Sequence, residues 1–171
     1  MIKALGAALI LGSCLISGLR SASELNMRVR SMKSILSSVE IMRGEVSSRL
    51  TSVTDIFKLL SENAETPARR LYKNALSELA NADGDMLQNI WRRAVEKTNE
   101  LLLTDTEKLT LYDIGACLGR YDVKSQTAML ERIASRFEEF RARAEEDRRR
   151  EIRLQTCLSV ISGVFVVIIL L

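Results

Sequence analysis

Hydrophobic and polar positions divide this chain into three zones: an uncharged stretch from Ala4 to Leu19, a charged middle, and a second uncharged stretch from Leu154 to Leu171. At about 1.5 Å of rise per residue, either end as a helix approaches the roughly 30 Å of bilayer hydrocarbon, usually crossed by about 20 residues. The second stretch is apolar all round, through Val160, Ile161, Val164, Phe165 and the run from Val166 to Leu171, so it offers no polar face to water. The pattern predicts a transmembrane helix over 1–20, a soluble helical domain over 21–153 and a second transmembrane helix over 154–171. A cleaved lipoprotein leader is the alternative for the first, because Lys3 precedes an apolar run and Leu11-Gly12-Ser13-Cys14 resembles a cleavage box. Against it, Leu15 and Ile16 carry the apolar run past Cys14.

Inside the middle, apolar residues follow a 4,3,4,3 rhythm: Leu25, Val29, Met32, Leu36 and Val39, then, beyond a polar Arg43, Val46, Leu50, Val53, Phe57 and Leu60. This is a coiled-coil-like seam for a partner helix. Arg43 followed by Gly44 leaves a hairpin and a kink both open on periodicity alone.

Capping chemistry marks the later boundaries. Thr66-Pro67 supplies an N-cap and a first-turn proline for a helix over about 67–81, with Leu71, Ala75, Leu76 and Leu79 inward. Asp83-Gly84 breaks it, and Asp85 is placed to cap the next helix, whose buried stripe is Leu87, Ile90, Trp91, Ala94, Val95 and Leu102. Thr104 and Glu107 have the spacing of a capping box. The helix they open is expected to end at Gly119 in the left-handed C′ conformation. Asp122 then starts the last helix, with a seam of Leu130, Ile133, Phe137, Phe140 and Ala144 and nothing to break it before the chain ends. As one rod from Asp122 to Leu171 it would be roughly 75 Å long.

Charge fixes orientation more than partner. All 22 acidic residues and every basic residue except Lys3 lie between Arg20 and Arg153, and the whole chain carries only +3, so there is no nucleic-acid footprint. Arg20, Arg28, Arg30 and Lys33 follow the first stretch, and Arg141, Arg143, Arg148, Arg149, Arg150 and Arg153 precede the second. The positive-inside rule therefore puts the middle in the cytoplasm. Arg148 to Arg150 alternate with acids, with Glu139 and Arg143, Glu145 and Arg149, and Glu146 and Arg150 at i,i+4. That reads as a solvated helix face beside the membrane that also touches anionic lipid.

Candidate chemistry changes little. One proline and few glycines, eight in all, favour helix throughout. The absence of histidine removes the commonest general base and metal ligand. Cys14, Cys117 and Cys157 form no CxxC pair, and no glycine pattern cradles a phosphate or presents a nucleophile. Asp83 with Asp85 flanks a turn, and Glu138 with Glu139 faces solvent. The expectation is a non-enzyme without cofactor or metal. What remains is packing: Ala4, Ala8 and Gly12 recur every four residues, as do Ser159 and Gly163, giving small faces on which helices associate closely in lipid.

Several stretches together resemble the stage III sporulation protein AB family of endospore-forming bacteria. They are the start Met1-Ile2-Lys3-Ala4-Leu5-Gly6-Ala7, the Trp91 helix running to Leu101, Leu102 and Leu103, the turn Leu118-Gly119-Arg120-Tyr121-Asp122 with Gln126 after it, and the Arg/Glu-rich helix entering an apolar tail. The similarity covers nearly the full length, and its most specific part is the LG-x-x-D-x-x-x-Q turn between two helices. Family members often carry a tyrosine, a glycine and Thr-Pro-Leu near the position of Gly44. Here Met42-Arg43-Gly44-Glu45-Val46 keeps only the glycine. On that resemblance a break near Gly44 is expected, and with it an all-α, antiparallel bundle of about six helices between the two transmembrane helices.

The resemblance also implies a role. Members of that family are mother-cell membrane proteins of the outer forespore membrane, needed for spore formation. They are similar to the platform protein of type II secretion and type IV pilus machines, whose helical domains meet a hexameric ATPase. It implies a platform between an ATPase like stage III sporulation protein AA and the other proteins of the channel to the forespore. The rival reading is a membrane scaffold or sensor that forms homo-oligomers through its seams without an ATPase. Structural roles are expected of Trp91 as core anchor, Gly119 as turn residue, Asp122 as cap and Gln126 as a bridge back across the turn. A partner contact is expected at Arg120 to Gln126.

Overall fold

The computed structural model describes residues 2–49, 51–82, 84–119 and 122–170, with side chains described over 23–48, 51–82, 84–119 and 122–155 and at 157, 158 and 161. Among these the chain is all-α, with six helices and no strand: α1 (Ile2–Arg49), α2 (Val53–Asn63), α3 (Ala68–Ala80), α4 (Leu87–Lys97), a 3-10 turn at Asn99–Leu101, α5 (Asp105–Leu118) and α6 (Val123–Leu170). They divide into two compact units. One comprises Met27–Ala142, and the other comprises Met1–Asn26 with Arg143–Leu171.

Met27–Ala142 holds the core. Phe57 of α2, Tyr72 of α3 and Trp91 of α4, all fully buried, meet as an aromatic cluster. Phe57 stacks on Trp91 at 5.3 Å between centroids, and Tyr72 lies 5.9 Å from Trp91. Such pairs add to the large apolar area each ring removes from water. Around them α2 packs on α3, α3 on α4 and α4 on α5. From α6, Leu130, Ile133 and Phe137 complete the cluster, with Phe140 half-buried and edge-on to Phe137 at 5.6 Å.

The seam of α1 runs in a different phase from the expected one. Met32, Ile35, Val39, Met42 and Val46 are buried, whereas Leu36 is only half-buried. In this 3,4,3,4 phase Met42 fills the place that looked vacant at Arg43, and the helix passes Gly44 without a break. A lone exposed glycine costs a helix only about 1 kcal/mol, which a continuous buried seam outweighs. The break falls instead just before Ser52, whose hydroxyl accepts from Asp55 N at 3.2 Å and caps α2.

Other expected boundaries shift for equally local reasons. Pro67, not Thr66, occupies the cap of α3, and Thr66 Oγ1 accepts from Arg30 Nη2 of α1 at 3.0 Å. Asp85 does not cap α4; that place is taken by Met86, and the Asp85 carboxylate instead accepts from Arg93 at 2.8 Å. Leu102 lies outside α4, 40 % exposed with φ of 50°, while Leu101 on the 3-10 turn goes into the core. The Thr104–Glu107 capping box forms in both directions, and Glu107 does double duty. Its Oε2 accepts from Thr104 N at 2.7 Å, and its Oε1 accepts from Arg28 of α1 at the same distance.

In the other unit, Arg148 Nη1 donates to Asn26 Oδ1 at 3.2 Å. Past it, Leu154, Leu158 and Ile161 are 51 %, 65 % and 64 % exposed. Among the described residues no helix is long and apolar enough to cross a membrane. The side chains of 1–22 and 162–171 lie outside the described set. So does the packing expected of Ala4, Ala8, Gly12, Ser159 and Gly163, whose backbone belongs to α1 and α6.

Candidate functional site

Three side chains, those of Cys117, Asp122 and Gln126, fix the helix ends on either side of the α5–α6 turn. Asp122 Oδ2 accepts from the backbone N–H and the hydroxyl of Ser125, at 3.0 and 2.5 Å, and so closes the first turn of α6. These bonds favour the ionised carboxyl and hold it below its usual range, the Ser125 hydroxyl contributing most. Gln126 Nε2 donates to Leu118 O at 3.3 Å, and Cys117 Sγ donates to Gln126 O at 3.4 Å. The last turn of α5 and the first of α6 are thereby laced together.

Gly119 is not left-handed. Its φ of −77° and ψ of −1° are helical. A Cβ added there would meet nothing closer than Gly115 O at 3.6 Å. The expected conformational need for glycine at 119 is corrected accordingly. Of the expected partner contact at Arg120 to Gln126, Arg120 and Tyr121 lie outside the described residues.

Trp91 does not share this turn. It is fully buried and donates through Nε1 to Leu111 O at 2.6 Å, fastening α4 to α5. The glycine that matters stands beside it: a Cβ on Gly115 would lie 2.8 Å from Trp91 Cβ, so α4 and α5 approach closely only because position 115 is bare. The signal for this is faint, a glycine in mid-helix four residues before a turn glycine.

Two further groupings lay outside the expected sites. Glu78 is buried to 8 % exposure and accepts from Arg93 Nε at 2.8 Å and from Lys97 Nζ, joining α3 to α4. A shallow cavity of about 330 Å³ opens beside α4 and α5, with Arg92, Tyr112, Asp113 and Arg136 among its lining residues. The Arg92 guanidinium sits 5.1 Å above the Tyr112 ring, a cation–π contact. Among the described residues no group of three or more acids and cysteines is placed to hold a metal ion.

Comparison with known proteins bears on this arrangement. The family model described as Stage III sporulation protein AB (spore_III_AB) matches residues 3–171. A solved structure of "Stage III sporulation protein AB (SpoIIIAB)" is similar in fold, with a TM-score of 0.65 at 19 % identity over 72 % of this chain and 97 % of that one. No curated protein matches.

Proposed function

The chain belongs to the stage III sporulation protein AB family, and from that premise we propose that it is a non-enzymatic, membrane-anchored platform of the channel complex between mother cell and forespore, whose bundle docks a cytoplasmic ATPase. The observation that carries this reading is the continuity of α1 and α6. Each is a single helix of 48 residues that begins or ends in an uncharged terminal stretch and also supplies core residues to Met27–Ala142.

In this reading both termini insert in the outer forespore membrane from the mother-cell side, and the bundle faces the cytoplasm. The ATPase subunit, similar to stage III sporulation protein AA, supplies the motion. The test uses single cysteines in a chain whose native three are replaced, in intact sporulating cells. One replaces Glu62, exposed on α2, and the other follows Leu171. An impermeant thiol reagent is expected to label only the second. Labelling at position 62 would put the bundle outside the cytoplasm and defeat ATPase docking. Co-purification should also bring down a nucleotide-hydrolysing partner, and self-association alone would favour a scaffold instead.

A further inference from the structure

The arginines that precede the uncharged end of α6 do not share one environment. Arg148 is half-buried, its Nε is enclosed, and its Nη1 is committed to Asn26. Arg149, Arg150 and Arg153 are exposed and make no ion pair among the described residues. Residues three and four apart share a helix face, so Arg149 with Arg153, and Arg150 with Arg153 and Leu154, form one strip. Leu154, Leu158 and Ile161 continue that strip, each more than half exposed. The nearest acids on the same helix, Glu145 and Glu146 one turn before Arg149 and Arg150, form no ion pair with them among the described residues, and half-buried Glu151 accepts from Gln155 Nε2 at 3.4 Å.

We propose that Arg149, Arg150 and Arg153 bind the phosphates of anionic phospholipid, that α6 passes from headgroups to hydrocarbon between Arg153 and Leu154, and that Arg148 is a structural residue excluded from this contact. The inference rests on the membrane-anchored reading above. Charge complementarity identifies the occupant: three unpaired guanidiniums, which grip phosphate through a planar fork of donors, stand immediately before large apolar side chains facing outward. Water is a poor solvent for the second group, and a neutral lipid surface leaves the first without counterions. An anionic bilayer satisfies both at once.

The test uses the full chain reconstituted in vesicles of phosphatidylcholine mixed with phosphatidylglycerol, recovered in mild detergent, with retained lipid measured by mass spectrometry. Wild type is expected to retain phosphatidylglycerol above its share of the vesicle. Arg149→Gln, Arg150→Gln and Arg153→Gln should each lower that enrichment, by roughly fivefold at most, and the three together should abolish it. Arg148→Gln should leave it unchanged. Equal loss from Arg148→Gln, or full enrichment in the triple variant, overturns the assignment. So does cross-linking of two chains through Leu158→Cys, which would give the face to a second copy. Alkaline carbonate extraction separates the premises: release of wild type from the vesicles defeats membrane anchoring itself, whereas retention without phosphatidylglycerol enrichment defeats only the lipid assignment.

Discussion

Gly115 and Trp91 show how much of a bundle's precision resides in one missing methyl. A Cβ at 115 would sit 2.8 Å from Trp91 Cβ, backbone-fixed atoms that no rotamer change moves apart. Gly115→Ala should therefore destabilise by about 1–3 kcal/mol, the usual cost of overpacking, even though alanine is the better helix former. Gly119→Ala, with its nearest atom at 3.6 Å, should stay within about 0.5 kcal/mol. Thermal unfolding of the two variants checks the contrast, and equal melting temperatures would remove the close approach. The same scale holds a pH dependence. Hydrogen bonds from Lys97 and then Arg93 keep the Glu78 carboxyl below its usual 4.5, so the folded state favours the ionised form. The resulting stability is present above about 4.5 and lost as pH falls below it. Chemical denaturation of wild type should weaken on acidification more steeply than that of Glu78→Gln, and parallel curves would show that the ion pairs contribute nothing.

Element by element, what could be read from sequence depended on whether the deciding interaction was local. The capping box of Thr104 and Glu107 is spelled within four residues, and it forms as spelled. The seam of α6 was legible too, because Leu130, Ile133, Phe137 and Ala144 have no competing phase. On α1 there were two phases, one through Leu36 and one through Ile35, and only packing against the rest of the core chooses between them. The wrong phase makes Arg43 look like a gap, and the family resemblance turns that gap into an expected break at Gly44, which α1 does not have. Asp85 is ambiguous in the same way, since a cap and an ion pair compete for one carboxylate and Arg93 lies eight residues away. Gly115 carried almost no signal, because its reason is a side chain on another helix. The continuity of α1 has a measurable corollary. With nothing within 4 Å of a Cβ at Gly44, Gly44→Ala should stabilise by about 0.5–1 kcal/mol, read as a raised denaturant midpoint. A loss of stability there would mean the helix does break.

For the molecule as a whole, the core cluster from Met32 to Phe137 lies entirely within Met27–Ala142. A fragment covering 27–142 should therefore unfold in one cooperative transition, seen as coincident loss of helical dichroism and tryptophan fluorescence. Separate transitions would show that the terminal segments are needed to hold the bundle. Within that unit the neighbours α2 to α5 pack in chain order, whereas α1 is tied through Arg28 to Glu107, 79 residues on, and through Arg43 to Glu131 at 3.9 Å. The ribosome thus releases the apolar seam of α1 first and its distant partners last. Throughout that interval Met32, Ile35, Val39 and Met42 stand without the helices that will cover them, so α1 is the segment that nascent-chain chaperones should hold longest.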